Sequence, residues 1–207
     1  MRIITISREF GSGGREVGKR LADELGFAYY DREIITAVAD KSDLDAKYVE
    51  SMSEQGMPKS FLFTFGRTFT YPDATQQNYT KILVAEREFI TGLAKKGEDF
   101  VIVGRSADII LHDYKPLNIF VYADMAARIE RCQKRASKDE NLSDRELSRK
   151  IKKVDSGRAA NRSLMSDSAW GKKESYHLCI NTTDKEIKSI IPALGAYALC
   201  WFDGQKK

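Results

Sequence analysis

A glycine cluster near the start of the chain is the first feature that could carry chemistry. It follows the apolar, β-branched run Ile3–Ile6 and precedes Arg15–Leu25, where apolar residues recur at helical spacing. Glycines at such a strand-to-helix junction let backbone N–H groups turn towards phosphate oxygens, and the helix N-terminus adds positive partial charge. The pattern predicts a phosphate-binding loop, although a glycine-rich turn without a ligand has the same composition. The cluster consists of Gly11, Ser12, Gly13 and Gly14.

The cluster can be aligned with the phosphate-loop pattern Gly-x-x-x-x-Gly-Lys-[Ser/Thr] in two registers, and neither is complete. In the first register, Gly13 and Gly18 are the two pattern glycines and Lys19 is the lysine. Arg20 then stands where the hydroxyl that coordinates Mg²⁺ belongs. This register also places the Gly-Lys pair inside the predicted helix, a full turn past its start.

In the second register the loop ends at Gly14, and Arg15 takes the place of the lysine. Glu16 and Val17 then occupy the Ser/Thr places, and Glu9 stands where the first glycine belongs. We favour this register because its glycines lie directly between strand and helix, where phosphate must bind. A guanidinium fork suits phosphate oxygens, but without the hydroxyl Mg²⁺ must be held through water or elsewhere.

A second candidate region is the charged stretch from Arg128 to Lys173, which is poor in large apolar residues. It predicts a polar helical insertion that can close over a bound anion. Arg158 and Arg162 are one helical turn apart and would share a face of that insertion. A solvated helix face is the alternative for any single arginine here. The arginines are Arg128, Arg131, Arg135, Arg145, Arg149, Arg158 and Arg162.

The elements that must position these residues alternate between short apolar runs and helical patterns, which predicts an α/β fold with a parallel sheet. Residues 42–79 contain glycines and prolines and predict an irregular segment. The predicted strands are Ile3–Ile6, Gly26–Tyr30, Phe100–Val103, Ile119–Tyr122 and His177–Ile180. The predicted helices are Arg15–Leu25, Ile34–Asp40, Tyr79–Leu93 and Lys185–Leu199.

Composition excludes several classes of protein. The 207 residues include 42% hydrophobic and 31% charged residues, an ordinary balance for a globular domain. No apolar run reaches the roughly 20 residues of a membrane span, and no signal peptide is apparent, so we expect a cytoplasmic protein without a membrane partner. A net charge of +4 does not argue for nucleic acid. The three cysteines lack a Cys-x-x-Cys pair and predict reduced thiols, and the two histidines predict structural or surface roles.

With these residues in place, the chain resembles the cytidylate kinase-like proteins, which are nucleoside monophosphate kinases of the P-loop NTPase superfamily. The matching segments follow the family's order across nearly the whole chain, and arginine in the place of the loop lysine is itself a feature of the group. The segments are Ile6–Arg15, Tyr30–Asp31, Val101–Asp108, Asn118–Asp124 through Arg131, Arg158 with Arg162, Trp170–Gly171 and Tyr176–Asn181.

The resemblance implies an architecture and a reaction. Residues 1–207 would form a single P-loop kinase domain, whose core is a five-stranded parallel sheet flanked by helices. Residues 32–97 would form an insertion that binds the acceptor monophosphate, and residues 135–172 would form a helical lid. The reaction would move the γ-phosphoryl group of ATP, bound with Mg²⁺, to a nucleoside monophosphate, with CMP or dCMP as the expected acceptor.

The resemblance also implies roles for individual residues. Arg15 would hold the β- and γ-phosphates of the donor, Arg131 would lie near the donor nucleotide, and Arg158 and Arg162 would reach the transferring group. Arg105 would hold the acceptor phosphate. Two carboxylates, Asp31 and Asp108, could contact the acceptor's sugar or base, or a water on Mg²⁺. For Asp31 a helix N-cap is an equally good interpretation.

Two alternatives to a cytidylate kinase stay open. Ala159 and Val103 stand where bacterial cytidylate kinases carry acidic residues, which leaves room for a kinase of the same fold with another small-molecule acceptor. Glu16 in the hydroxyl position favours a nucleotide-binding sensor with little catalysis. The aromatic cluster Phe61–Tyr71 could stack on a base, but the core of the insertion or a contact in a homo-oligomer is the better interpretation.

Overall fold

Five parallel strands form a central sheet in the computed structural model, which describes residues 1–55, 74–136 and 142–204. The strand order is β2-β3-β1-β4-β5, so β1 lies in the middle and Ile6 pairs with Val103 on one side and Ile119 on the other. The predicted α/β fold with a five-stranded parallel sheet is confirmed. The strands are β1 (Ile3–Arg8), β2 (Ala28–Tyr30), β3 (Phe100–Val103), β4 (Leu117–Tyr122) and β5 (Leu178–Asn181).

Helices cover both faces of the sheet, and this explains why the strands are apolar throughout rather than alternating. Ile4 and Ile6 pack with α1 and α8 on one face, whereas Ile3 packs with α2, α3 and α4 on the other. The helices are α1 (Gly14–Leu25), α2 (Glu33–Ser42), α3 (Ala46–Gln55), α4 (Ala74–Lys95), α5 (Ala107–Ile110), α6 (Met125–Arg135), α7 (Asp144–Ser163) and α8 (Ile187–Gly204). Short 3₁₀ turns span His112–Tyr114 and Lys173–Ser175.

The strand order alone predicts where a ligand would bind. The chain passes from β1 to β2 and β3 on one side, and continues to β4 and β5 on the other. Ligands of open α/β sheets bind outside the carboxyl ends of the strands where this direction reverses. That point is the carboxyl end of β1, where Arg8 is followed directly by the glycine cluster.

One predicted feature of the fold is wrong in part. Residues 42–79 were expected to be irregular, but 46–55 form α3 and α4 begins at Ala74. Val49 and Met52, three residues apart, are the buried anchors of α3, and two apolar side chains are too few to reveal a helix by periodicity. The aromatic cluster Phe61–Tyr71 lies outside the described residues. No helix of the described chain is long and apolar enough to cross a membrane.

Candidate active site

The glycine loop joins β1 to α1 through residues in left-handed backbone conformations. Gly11 has φ 79°, and Gly13, with φ 85°, is the N-cap of α1, which begins at Gly14. The loop therefore ends one residue earlier than the favoured register expected. Its helix N-terminus carries unpaired N–H groups and positive partial charge, which is the arrangement that binds phosphate.

Close approach of other groups explains why two loop positions are glycine. A Cβ atom on Gly11 would lie 2.9 Å from the carbonyl oxygen of Arg128. A Cβ atom on Gly14 would lie 2.8 Å from the Cγ atom of Arg8 and closer still to its Cβ atom. Neither position can carry a side chain without displacing an arginine.

The residues after the loop point in three directions. Arg15 forms an ion pair with Asp31, with its Nε atom 2.7 Å from Oδ2. Glu16 accepts hydrogen bonds from Arg20 and from Arg135, at 2.9 and 2.8 Å. Val17 is fully buried, and its N–H bonds to the carbonyl of the N-cap glycine. Of the predicted loop residues, the structure brings Gly11, Gly13, Gly14 and Arg15 to the wall of the large cavity, but not Ser12, Glu16 or Val17.

The first register of the sequence analysis does not fit the structure. Lys19 lies on the outer face of α1, where its Nζ atom bonds to Asp23 at 2.7 Å and its side chain is 58% exposed. Gly18 faces the sheet, and a Cβ atom there would lie 2.7 Å from Val103. A lysine on the solvent side of the helix cannot reach a phosphate at its N-terminus.

A large cavity lies over the glycine loop, between it and helices α6 and α7. Its volume is about 890 Å³, which is within the range of nucleotide-sized ligand pockets. Basic side chains dominate the charged part of its wall, whereas Glu9 and Glu50 are the carboxylates there. The field inside the cavity therefore favours a multiply charged anion. The basic residues are Arg8, Arg15, Arg32, Arg131, Arg135, Lys150, Lys153 and Arg158.

A second, smaller cavity of about 50 Å³ lies at the carboxyl ends of β1 and β3. Helices α4 and α7 form its other walls. The hydroxyl of Tyr79 on α4 donates a 2.7 Å hydrogen bond to Asn161 on α7 across this space. Arg8 and Arg158 line both cavities, so the two spaces meet at this arginine pair.

Arg105 lines the smaller cavity from an unusual backbone conformation. Its φ is 60°, and Gly104 and Ser106 beside it also have positive φ. Such strain in residues with side chains costs on the order of 1–3 kcal/mol each and clusters at functional sites. The guanidinium pairs with Glu86 at 3.0 Å, and each side chain is only 7% exposed.

The two predicted lid arginines lie on the same face of α7, as their spacing predicts, but they have different partners. Arg158 donates a 3.0 Å hydrogen bond to the carbonyl of Arg8. Arg162 is buried, bonds to Asp108 at 2.6 Å and also donates to the carbonyl and hydroxyl of Ser168. In this conformation Arg162 is held by protein groups, whereas Arg158 faces both cavities.

The remaining predicted residues are fixed by the elements that flank the loop. Arg131 on α6 binds the carbonyl and the hydroxyl of Thr182, and it lines the large cavity. The Thr182 hydroxyl in turn donates to the carbonyl of Ser12 at 2.7 Å. Asp31 pairs with Arg15 and is not an N-cap, because the N-cap position of α2 is Arg32. The N-cap interpretation of Asp31 is wrong.

A buried network that no local sequence pattern reveals anchors the loop. Arg128 donates to the carbonyl of Phe10 at 2.7 Å and pairs with Glu9 and Asp155. Asp155 also accepts from the backbone N–H of Phe10, at 2.8 Å. Burial raises the pKa of Glu9, while the N–H of Ala123 and the charge of Arg128 oppose this rise. In the sequence Arg128 resembles the other arginines of a polar helix, and only tertiary contacts distinguish it.

No group of three or more His, Cys, Asp and Glu side chains placed to hold a metal ion occurs in the described ranges, 1–55, 74–136 and 142–204. The three cysteines are free thiols. His112 is exposed, while the ring of His177 packs against Trp201 with ring centres 4.4 Å apart. These histidines have the surface and structural positions that the sequence predicted.

Several solved structures share the fold of this chain. An uncharacterized protein from Eubacterium ventriosum superposes with a TM-score of 0.69 at 25% identity, covering 96% of this chain and 98% of that one. A shikimate kinase from Bacteroides thetaiotaomicron superposes with a TM-score of 0.55 at 15% identity, covering 95% and 97%. A sugar kinase from Janibacter sp. HTCC2649 does so with a TM-score of 0.52 at 14% identity, covering 98% and 95%.

The sequence identifies the family to which this chain belongs. Residues 3–184 match the cytidylate kinase-like family, and no curated protein matches the chain significantly. The match spans β1 to the end of β5 and therefore includes the glycine loop and α7. This chain belongs to the cytidylate kinase-like family, as its motifs predicted.

Proposed function

We propose that this protein is a phosphotransferase that moves the γ-phosphoryl group of ATP to a nucleoside monophosphate, with CMP and dCMP as the first acceptors. The observation that carries the proposal is the meeting of two cavities at Arg8 and Arg158, beside the N-terminus of α1. Phosphoryl transfer from ATP to a monophosphate requires two anionic substrates to be held in line in a cationic, water-poor site. Family membership supports a nucleotide as one of them.

The large cavity would take the donor. Its volume is sufficient for ATP, and its floor is the left-handed loop of Gly11 and Gly13, whose backbone N–H groups would contact phosphate oxygens. Arg15 and Arg131 on its wall would neutralise phosphate charge near the loop and near the nucleotide. Mg²⁺ would arrive with ATP and spread the charge of its β- and γ-phosphates. Such an ion commonly keeps several waters and needs few protein ligands.

The smaller cavity would take the phosphate of the acceptor. Arg105 would bind that phosphate and exchange part of its interaction with Glu86 for it. Asp31 and Asp108 would contribute carboxylates on the acceptor side, and both are buried. Insertion 32–97 would supply the acceptor-binding walls, because α4 already lines this cavity.

Transfer of the phosphoryl group would need Arg158 and Arg162, which lie on helix α7 within the proposed lid, residues 135–172. Arg158 would contact the transferring group directly, and Arg162 would reach it after leaving Asp108. Each such arginine can contribute roughly a thousandfold or more in rate, because it stabilises charge that develops in the transition state. We propose that the enzyme is cytoplasmic and that neither nucleic acid nor a membrane is its partner. A homo-oligomer is compatible with this proposal.

A kinase for another small acceptor is the second candidate. Ala159 follows Arg158, where the resemblance leads one to expect an aspartate, so a polar contact for recognising the cytidine nucleotide is missing. The similar folds include enzymes named as shikimate and sugar kinases, whose names point to acceptors other than nucleotides. A nucleotide sensor is the third candidate, because neither Arg15 nor Glu16, which follow the loop, offers a hydroxyl for Mg²⁺.

A coupled ADP-release assay with Mg-ATP tests these candidates. The acceptors would be CMP, dCMP, UMP, AMP, GMP, dephospho-coenzyme A and shikimate, with ATP binding measured by calorimetry in parallel. Turnover confined to CMP and dCMP supports the proposal, and turnover on another acceptor supports the second candidate. ATP binding without turnover would support the sensor. Absence of both would refute the assignment of the large cavity to a nucleotide.

A further inference from the structure

The side chain of Arg8 occupies the position from which a phosphate-loop lysine would extend. Since Gly13 is the N-cap of α1, the pattern's lysine position is residue 14, and its first glycine position is residue 8. In this chain residue 8 is arginine and residue 14 is glycine. The glycine and the cation of the pattern have exchanged places.

The two residues also exchange roles in space, because the side chain of Arg8 fills the volume next to Gly14 that a side chain at residue 14 would need. The stem of Arg8 crosses the start of α1, so a Cβ atom on Gly14 would lie 2.8 Å from Arg8 Cγ. The guanidinium continues to the end of β3, where a Cβ atom on Gly104 would lie 2.7 Å from Arg8 Cζ. Two glycines therefore make room for one arginine, which crosses from the donor-side cavity to the smaller one.

Ion pairing distinguishes Arg8 from the neighbouring arginines. Arg15, Arg105 and Arg162 each have an ion-pair partner, namely Asp31, Glu86 and Asp108. Within the described chain, Arg8 has no carboxylate within ion-pair distance. Burial, and after it the nearby charge of Arg158, lower the pKa of Arg8 well below its ordinary value. Two neighbouring guanidinium groups at the junction of two cavities favour the binding of an anion beside them, although Asp31 and Asp155 offset part of their charge.

We propose that Arg8 is a catalytic residue that holds the transferring phosphoryl group, in place of the lysine of the phosphate-loop pattern. The assignment rests on the proposed function. In the transfer, the bond from the γ-phosphorus to the bridging oxygen breaks, and ADP keeps that electron pair. A bond from the same phosphorus to an acceptor oxygen forms. Arg8 contributes charge and hydrogen bonds and exchanges no proton, and its position at both cavities lets it follow the group across.

Binding of Mg-ATP and of inorganic tripolyphosphate by calorimetry tests the assignment. Arg8→Gln should weaken both by roughly tenfold to a hundredfold, because a charged hydrogen-bond partner of phosphate is lost. Arg145→Gln is the matched control, since Arg145 is an exposed arginine of α7 that lines neither cavity. The control should bind both probes like the wild type.

Moving the cation separates a phosphate contact from a merely structural role. Arg8→Gly alone should lose affinity for tripolyphosphate, and Gly14→Lys alone should be disturbed by the stem of Arg8. The double variant Arg8→Gly with Gly14→Lys restores the glycine and lysine of the pattern and should recover at least about tenfold of the lost affinity. Circular dichroism and thermal melting establish that each variant is folded.

The outcomes separate the role of Arg8 from the proposed function on which it rests. A wild-type protein that binds neither probe would overturn the proposed function and, with it, the role of Arg8. Wild-type binding that persists unchanged in folded Arg8→Gln would overturn the assignment of Arg8 alone. Should Arg8→Gln fail to fold, the double variant decides: recovered tripolyphosphate affinity supports the assignment, and a folded double variant without affinity refutes it.

Discussion

The Nη1 atom of Arg162 lies 2.6 Å from Oδ2 of Asp108, and both side chains are almost completely buried. Asp108 follows the strained turn after β3, while Arg162 belongs to α7. The other carboxylate oxygen, Oδ1, is buried without a hydrogen-bond partner in the described structure. The pair therefore connects helix α7 to the sheet, and the arginine that was expected to reach the substrate also stabilises the fold.

Replacing Arg162 should affect stability and catalysis together, and a second substitution should separate them. Arg162→Ala leaves Asp108 charged and buried, so we expect a loss of about 3–5 kcal/mol in the free energy of unfolding. Arg162→Met combined with Asp108→Asn removes both charges and should recover much of that loss. Urea unfolding measures the stability. If the double variant also regains full kcat, Arg162 does not act in the transition state.

Arg15 and Lys19 give opposite predictions for ATP binding. Arg15 lines the large cavity, so Arg15→Ala should weaken ATP binding by roughly tenfold, the effect of losing one charge-assisted hydrogen bond. Lys19→Ala should leave the affinity unchanged, because Lys19 pairs with Asp23 on the outer face of α1. Calorimetry on both variants checks this. Unchanged affinity in Arg15→Ala would remove Arg15 from the donor site.

Two helical glycines should respond in opposite ways to alanine. Gly18 packs against β3, where a Cβ atom would lie 2.7 Å from Val103, so Gly18→Ala should destabilise the fold by about 1–3 kcal/mol. Gly92 lies in α4 with nothing within 4 Å of its Cβ position, so Gly92→Ala should stabilise by about 0.5–1 kcal/mol. Chemical denaturation compares the two. Equal effects would contradict the close helix–sheet contact at Gly18.

His177 should make stability depend on pH. Its Nδ1 atom accepts a 3.0 Å hydrogen bond from the N–H of Asn118, and burial lowers its pKa. A folded-state pKa below the unfolded value means that the stabilisation is complete above about pH 6.5 and is lost as pH falls through the folded pKa.

Unfolding free energies at a series of pH values from about 7.5 to about 5 test this prediction. The wild type should lose more stability over that interval than His177→Gln, which keeps an acceptor but has no ring to protonate. Parallel pH profiles for the two proteins would show that His177 does not contribute to the change.

The sequence predicted the parts of this molecule that depend on local pattern. The parallel sheet follows from apolar runs such as Phe100–Val103, and the position of the glycine loop follows from its place between strand and helix. The helical spacing of Arg158 and Arg162 predicted their common face. In each case the information lies within a few consecutive residues.

What the sequence could not reveal depends on contacts between distant segments. The loop ends at Gly13 rather than Gly14, and the side chain of Arg8 lies over Gly14. Likewise Arg15 turned out to pair with Asp31, and Arg128 to anchor the loop through Asp155. No local sequence pattern distinguishes these arginines from those on a solvent-exposed helix face.

The hydrogen bond between Tyr79 and Asn161 has a consequence for the opening of the smaller cavity. Burial, with a smaller contribution from Glu86, raises the pKa of Tyr79 to about 12, so its hydroxyl remains a donor at physiological pH. Helix α7 also packs against α3, so moving α7 away from the cavity would disrupt that contact as well. Helices α4 and α7, which wall the smaller cavity, are therefore joined by a side-chain hydrogen bond, and separating them to widen that cavity requires breaking it.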